Sequence, residues 1–303
     1  MFDFNKINQN FPIRRTDEQK QKFIDYVKQN VKNYEVNVDT YEKKHNNVVI
    51  GDWQSAKVIF TAHYDTPASS FYPNLMLPKT PLLAILFHIL IPILLALVAV
   101  FVTVCINMFA KMHYIGLVLI TECIYFSLFY FGTRFFVNKH NANDNTSGVS
   151  TVLQICSKIT SDKVAFILFD NEEKGLLGSK AFSKKNKQLL QDKLVINLDC
   201  VGDGENFIFI CKPLAQNCEL YAPLKNCEAF NHPSKKVYFY STKESSANSD
   251  NKNFDCSIGI VACNRGKTGI FYTSKIHTNK DTTIDASNIE FLSNALAQFA
   301  SEI

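Results

Sequence analysis

One stretch of this sequence limits its possible folds more than any other: residues 80–110 contain no Asp, Glu, Lys or Arg. A second apolar run, residues 114–132, follows after a short turn at residues 111–113. A helix that crosses the hydrocarbon core of a bilayer needs about 20 apolar residues, so each run is long enough. The sequence therefore predicts a transmembrane helical hairpin within residues 80–137, and the alternative is a pair of buried core helices or a hydrophobic lid.

The charges around this hairpin predict its orientation. An even number of spans returns the chain to the side from which it left, so both flanks face one compartment. The flanks carry Lys79, Arg134 and Lys139, whereas the turn carries Lys111 alone. Because positively charged loops tend to stay inside, we expect a multi-pass protein of the cell membrane whose remaining residues face the cytoplasm. Glu122 lies inside the second span, where placing an acidic side chain in the bilayer costs free energy. We therefore expect Glu122 either to pair with another group within the hairpin or to contact a membrane partner.

Composition outside the hairpin is that of an ordinary soluble protein. The net charge of +4 is too small to indicate a nucleic-acid partner. The nine cysteines are odd in number and form no CxxC pair, which favours reduced thiols and a reducing compartment. The first residues, "MFDFNKINQNFPIRR", lack the apolar core of a secretory signal.

The remaining residues alternate between strand and helix patterns. Asp17–Asn30 predicts an amphipathic helix with Phe23, Ile24 and Val27 on one face and Lys, Glu and Gln elsewhere. Apolar runs such as "KVIFTAH", "KVAFILF" and "KLVINL" predict buried strands, and "NIEFLSNALAQFASEI" predicts a closing helix. Such alternation is typical of an α/β domain with a largely parallel sheet.

Acids and histidines follow the apolar strands. His63 and Asp65, the pair Glu172 and Glu173, and Asp199 each come directly after one such run. In open α/β sheets, ligands bind beyond the carboxyl ends of the strands. We therefore expect these side chains to share one site.

Two further segments add to this set. Asp144 precedes a predicted helix, and His277 is followed four residues later by Asp281. Residues i and i+2 of an extended chain point the same way, so the Asp65 carboxylate is predicted to receive the second ring N–H of His63. Two imidazoles with several carboxylates, and no required thiolate, suit one or two zinc ions.

Each of these residues also has an ordinary structural explanation when it is taken alone. A single histidine is more often structural, "EE" before a helix is usually solvated charge, and "ND" before "SG" is usually a helix cap. Their joint occurrence at successive strand ends favours a metal site.

The order of these stretches resembles metallopeptidase family 28 (clan MH), the co-catalytic two-zinc aminopeptidases. The matching stretches lie on both sides of the apolar insert and read "AHYDT", "NANDNTSGVS", "FDNEEKGLLGS", "NLDCVG", "SDNKNFDCSIGIVA" and "IHTNKDT". The resemblance implies a three-layer α/β/α zinc-exopeptidase-like fold with a mixed, largely parallel central sheet. Residues 1–79 and 138–303 would form one discontinuous peptidase domain, interrupted by the two-helix transmembrane hairpin.

The resemblance also implies which residues bind metal. Asp144 would bridge two zinc ions. His63 and Asp199 would complete one metal site, and Glu173 and His277 would complete the other.

Two more roles follow from the resemblance. Glu172 would be the general base, which takes the proton of the attacking water and passes it to the leaving amine. Asp65 would support His63 from behind the metal. The family often has a cis peptide after the bridging aspartate, which here would join Asp144 to Asn145.

The chain departs from the family pattern at two places. The family's Ser-Asp-His reads "SDN", with Asn251 in the histidine position, and its Gly-Ile-Pro reads Gly259-Ile260-Val261. Neither position is a metal ligand in the family, so these departures concern the loops on the substrate side.

Three functions remain open from the sequence. The first is a membrane-anchored zinc aminopeptidase that removes N-terminal residues from peptides. The second is a hydrolase or glutaminyl-cyclase-like transferase acting on another amide, such as an acylated or membrane-associated substrate. The third is a non-catalytic binding domain, which has no need to keep the metal ligands and Glu172 together.

Overall fold

A computed structural model describes residues 2–303 of the chain, in which a single large sheet carries the fold. The strands are β1 Val36–Tyr41, β2 His45–Ile50, β3 Val58–His63, β4 Ala68–Ser69, β5 Phe136–Val137, β6 Val164–Phe169, β7 Leu194–Leu198, β8 Asn206–Cys211, β9 Lys236–Ser241, β10 Ser257–Arg265 and β11 Phe271–Tyr272.

The large sheet has the order β1-β2-β6-β3-β7-β10-β8-β9, with β11 attached to β10. Its centre is parallel, since β6, β3, β7 and β10 all run in one direction. The β1–β2 and β10–β8 pairs are antiparallel. The predicted mixed, largely parallel α/β sheet is confirmed.

The helices are α1 Phe4–Asn10, α2 Asp17–Asn30, α3 Pro81–Ala110, α4 Tyr114–Thr133, α5 Gly148–Lys158, α6 Leu177–Lys185, α7 Pro213–Asn217, α8 Tyr221–Lys225 and α9 Ala286–Ser301. The predicted bounds of α2 agree with the structure. Thr16 caps this helix and forms a reciprocal capping box with Gln19, which accounts for its sharp start.

Apolar side chains cover both faces of the sheet. Along β6, Phe166 and Leu168 point into one core, which also contains residues of α2, α5 and α9. Ile167 and Phe169 point into a second core with Phe182 of α6. Because successive strand residues face opposite sides, strands that are buried on both faces read as continuous apolar runs. Helices on each face give the three layers.

The hairpin helices α3 and α4 are not core helices. Within an apolar stretch of 18 residues in each helix, only 17 % of α3 and 6 % of α4 is buried in the structure. Most of the large apolar side chains of both helices are exposed. Both helices are long and apolar enough to cross a membrane. Exposure on this scale rules out the buried-core alternative for these two helices.

The hairpin leaves and re-enters the domain at one place. β4 and β5 flank it and pair antiparallel, with Ala68 opposite Val137. The Phe71 amide donates to the Gly132 carbonyl at 2.8 Å, and the Ser70 amide donates to the His277 carbonyl at 2.7 Å. The segment that follows β4 therefore touches both the end of α4 and a predicted metal ligand.

Glu122 does not pair within the hairpin. Its side chain is exposed on α4 and forms no hydrogen bond or ion pair with residues 2–303. The helices are joined instead through Thr121, whose hydroxyl donates to Thr103 at 3.0 Å. A membrane partner at Glu122 stays a prediction.

Candidate metal centre

Three adjacent parallel strands deliver most of the predicted site residues. His63 is the last residue of β3, Glu172 and Glu173 follow β6, and Asp199 follows β7. Since the carboxyl ends of parallel strands meet at one edge of a sheet, these side chains converge. The remaining two residues arrive on loops. Asp144 lies in the buried turn Ala142–Ser147 before α5, and His277 follows β11.

Asp144 lies at the centre of this cluster, and its two carboxylate oxygens face different neighbours. Oδ1 lies 3.3 Å from Nε2 of His63, which is also 3.5 Å from Oδ1 of Asp199. Oδ2 lies 3.0 Å from Nε2 of His277, which is also 3.4 Å from Oε2 of Glu173. The structure therefore brings all five predicted ligands together as two groups that share Asp144.

Both groups have the dimensions of a metal site. The ligand atoms of His63, Asp144 and Asp199 all lie within 4.8 Å of one another, and so do those of Asp144, Glu173 and His277. Among the described residues, Oε1 of Glu173 and Oδ1 of Asp199 are buried without a hydrogen-bond donor. Buried acceptors without donors are costly unless a cation satisfies them. Imidazole and carboxylate ligands of this kind fit zinc.

Charge and burial set the protonation of the cluster. Burial alone would lower the pKa of His277, but Glu173 and Asp144 outweigh it and raise that pKa to about 10. Burial likewise opposes charge on His63, but Glu172 and Asp144 hold its pKa well above the usual value. Burial raises the pKa of Glu173 to about 8 and that of Glu172 well above its ordinary range. A divalent cation would displace protons from such a cluster.

The Asp65 carboxylate lies near Nδ1 of His63, as predicted, and also makes contacts that the sequence does not predict. Nδ1 of His63 contacts the backbone carbonyl of Asp65 at 3.1 Å, while the carboxylate is 3.6 Å away. The Asp65 carboxylate instead accepts the backbone N–H groups of Glu172 at 2.9 Å and Glu173 at 3.2 Å. The Asp65 carboxylate thus lies within ion-pair distance of His63 but not within hydrogen-bond distance, because β3 ends at His63 and Asp65 is no longer in a strand.

A buried lysine that the sequence pattern does not predict lies behind the Glu172–Glu173 loop. Lys20 forms an ion pair with Asp170 at 2.5 Å and donates to Asn171 at 2.8 Å, and both members of the ion pair are buried. The amphipathic pattern of α2 predicts Lys20 on the polar side of the helix. Lys20 occupies the same face as Phe23, at a spacing of three residues, and that spacing could have revealed it.

Asp281 holds the bridging loop in place. Its carboxylate accepts the backbone N–H of Asn143 at 2.7 Å and that of Asp144 at 3.0 Å. The peptide between Asp144 and Asn145 is cis, as the resemblance implies. The spacing of Asp281 from His277 alone does not predict this role.

The substrate-side departures line one wall of the site. Asn251 is buried, and a Cβ on Gly259 would lie 2.8 Å from its Cγ. Asp250, beside it, accepts a hydrogen bond from Ser179, while its second carboxylate oxygen is buried without a donor in residues 2–303. Burial raises the pKa of Asp250 to about 7. Asp250 is part of the "SDN" stretch, but its sequence position alone does not predict its burial.

Solved structures share this fold at low sequence identity. The aminopeptidase LapA of Legionella pneumophila superposes with a TM-score of 0.58 and 13% identity, covering 99% of this chain and 69% of that one. A glutaminyl cyclase of Porphyromonas gingivalis superposes with a TM-score of 0.57 and 14% identity, covering 99% of this chain and 98% of that one. A glutaminyl cyclase of Fimbriiglobus ruber superposes with a TM-score of 0.52 and 13% identity, covering 98% of this chain and 94% of that one. No curated protein sequence matches the chain.

A family model described as peptidase family M28 matches residues 131–300. The match covers more than half of the 303 residues and includes the segments that carry Asp144, Glu172, Glu173, Asp199 and His277. His63 and Asp65 lie before it, on the other side of the hairpin. The chain therefore belongs to peptidase family M28 and is a zinc-peptidase-like hydrolase.

Proposed function

We propose that this protein is a membrane-anchored zinc aminopeptidase that removes N-terminal amino acids from peptides. The observation that carries the proposal is the arrangement around Asp144, where each carboxylate oxygen faces a separate imidazole and a further carboxylate. A carboxylate shared in this way suits two metal ions side by side.

Each group would hold one zinc ion. His63 and Asp199 would bind the first with Asp144, while Glu173 and His277 would bind the second with the other oxygen of Asp144. Paired zinc ions supply Lewis-acid polarisation of a scissile carbonyl and lower the pKa of a bound water. The backbone contacts of Asp281 keep Asp144 oriented for both groups.

Glu172 would be the proton carrier. A ligand atom of Glu172 lies within 4.8 Å of those of His63 and Glu173, yet Glu172 forms no ion pair within residues 2–303. A carboxylate beside the ligands can take the proton of the attacking water on an Oε atom and pass it to the leaving amine nitrogen. The Asp65 carboxylate orients this base by accepting its backbone N–H.

A cleft of about 720 Å³ opens at the centre and suits the end of a peptide. The ligands line its floor, and Asn251, Gly259, Ile260 and Val261 line one wall. The hairpin would anchor this cleft to the membrane, because its helices expose apolar side chains along their length. The basic flanks favour a cytoplasmic domain.

Activity and metal content together test the proposal. The wild-type protein in detergent should release the first residue of a peptide, and a zinc chelator should abolish the release. Glu172→Gln should lose at least about 100-fold in kcat while it retains its zinc. Glu219→Gln, on an exposed residue, is the matched control and should behave as wild type.

Three outcomes separate the alternatives. Bound zinc without turnover of any peptide, amide or acyl-amide would favour a non-catalytic binding domain. Cyclisation of an N-terminal glutaminyl peptide without release of an amino acid would favour the transferase. Cleavage of acyl-amides but not of aminoacyl-amides would favour the other amide hydrolase.

A further inference from the structure

The first hairpin helix is longer than a membrane span requires. α3 has 30 residues, which is about 45 Å of helix, whereas the hydrocarbon core is about 30 Å thick. Its first turns do not face lipid alone. Pro81, Ala84, Ile85 and His88 recur at helical spacing and line the cleft that contains the metal ligands. One face of the helix is thus a wall of the candidate active site.

A second cleft, of about 1220 Å³, continues from the first. The two share the metal ligands Glu173 and His277, together with His88, Arg134 and Lys174. Nε2 of His88 lies 3.2 Å from the carbonyl of Leu75, which ties the helix to the loop between the clefts. A bound chain could therefore run from the metal centre past Arg134 and along the hairpin.

The second cleft is lined by cations that have no partner. Arg15, Arg134, Lys139 and Lys174 all line it, and none of their side chains forms an ion pair or a hydrogen bond within residues 2–303. Lys20 also lines this cleft but is paired with Asp170.

The acids that line the second cleft do not neutralise these cations. They are Asp65 and Glu173. Asp65 accepts two backbone N–H groups, and Glu173 faces His277. The second cleft therefore has a positive excess beside an apolar wall that contains Ile91 and Phe129.

We propose that Arg134, assisted by Lys174, binds a carboxylate of the peptide substrate on the leaving side of the scissile bond. The carboxylate is the C-terminus of a short peptide or an acidic side chain of a longer one. A guanidinium can bind it through two parallel N–H donors. The proposal rests on the proposed aminopeptidase function and makes the hairpin a contributor to substrate selection.

The position of the two cations favours substrate over an anionic lipid headgroup. Arg134 and Lys174 line the second cleft, and they also line the first cleft together with His63 and Asp144. Lys174 directly follows Glu173 in the chain. A headgroup bound only at the membrane surface would not need a cation on the ligand loop.

The test compares one tripeptide with a free C-terminal carboxylate and the same tripeptide as its C-terminal amide. Wild type should prefer the carboxylate form by about 10- to 100-fold in kcat/KM, the range for a hydrogen bond to a charged group. Arg134→Gln should reduce this preference at least about fivefold, mainly by raising KM for the carboxylate form. Lys111→Gln removes a charge from the far end of the hairpin and should leave the preference unchanged. The carboxylate could belong to the C-terminus or to an acidic side chain. To distinguish these two sources, a longer peptide with an acidic side chain on the leaving side is compared with the same peptide carrying an amide side chain there.

A second measurement separates failure of this site from failure of the proposed function. The affinity of both tripeptides for Glu172→Gln protein is measured calorimetrically, which requires no turnover. If wild type cleaves neither peptide but the carboxylate form still binds more tightly and loses this advantage with Arg134→Gln, the aminopeptidase proposal fails and the carboxylate site stands.

Two results would overturn the carboxylate site. One is that the wild-type protein cleaves the two peptides with equal kcat/KM and that both peptides bind with equal affinity. The other is a preference that Arg134→Gln leaves intact. If that variant instead loses only its affinity for vesicles of phosphatidylserine and phosphatidylcholine, the cations bind lipid and not substrate.

Discussion

Arg14 should be among the residues on which the stability of the domain depends most strongly. Its side chain is fully buried and donates to the carbonyl of Phe11 at 2.6 Å, to the hydroxyl of Thr146 at 3.1 Å and to the carbonyl of Tyr64. Burial lowers its pKa to about 10, so the guanidinium stays charged at neutral pH. It joins the N-terminal segment to both loops that flank the metal centre.

The cost of replacing Arg14 with methionine can be worked out from these contacts. Methionine fills much of the volume but leaves two carbonyls and a hydroxyl without their donor. It also leaves Asp65 and Asp144 without a nearby positive charge that stabilises them. Removing one partner from a buried charged arrangement costs about 3–5 kcal/mol. At about 2 °C per kcal/mol for a chain of this size, Arg14→Met should lower Tm by about 6–10 °C.

The single tryptophan provides the assay. Trp53 is buried in the α/β domain, 4.9 Å from the ring of Phe182, so its fluorescence reports unfolding of the domain and not of the hairpin. The metal-free protein is melted in detergent, with Lys22→Met as the control on an exposed residue of α2. The control should shift Tm by less than about 1 °C. A similarly small shift for Arg14→Met would refute the role assigned to this residue.

Three more substitutions test other contacts. Asp281→Asn should weaken zinc affinity by about 10- to 100-fold, measured by competition with a chelator, because one backbone N–H of the bridging loop loses its acceptor. Gly259→Ala should destabilise the domain by about 1–3 kcal/mol in denaturant melts, and Asn251→Ser in the same chain should recover part of this loss. Lys20→Met should cost about 3–5 kcal/mol by leaving Asp170 buried and unpaired, which the Trp53 melt would detect.

Hydrophobic patterning was sufficient to predict most of the fold. The runs "KVAFILF" and "KLVINL" are apolar at every position because both faces of their strands are covered. β1 was not predicted from its sequence, "VNVDTY". It is an edge strand that pairs only with β2, and its polar residues hide the alternation of Val36 and Val38.

The sequence predicts the site residues whose side chains can bind metal and which follow a strand or precede a helix. It does not predict the residues that hold the site in place through contacts with distant parts of the chain. His63, Asp144 and His277 are conspicuous because acids and imidazoles stand at strand ends or helix starts. Arg14 gave no such signal, because its burial depends on contacts with residues distant in the chain, and for Lys20 the only signal is its helical spacing from Phe23. Family resemblance did not reveal them either, since it was recognised from the metal-binding stretches.

Zinc stoichiometry tests most directly whether Asp144 joins two metal sites. The metal-free chain is titrated with zinc, and wild type should bind two ions. His63→Ala and His277→Ala should each lose one ion, and Asp144→Ala should lose high-affinity binding of both. A wild-type chain that binds a single ion, or an Asp144→Ala variant that retains both at undiminished affinity, would contradict a centre built around Asp144.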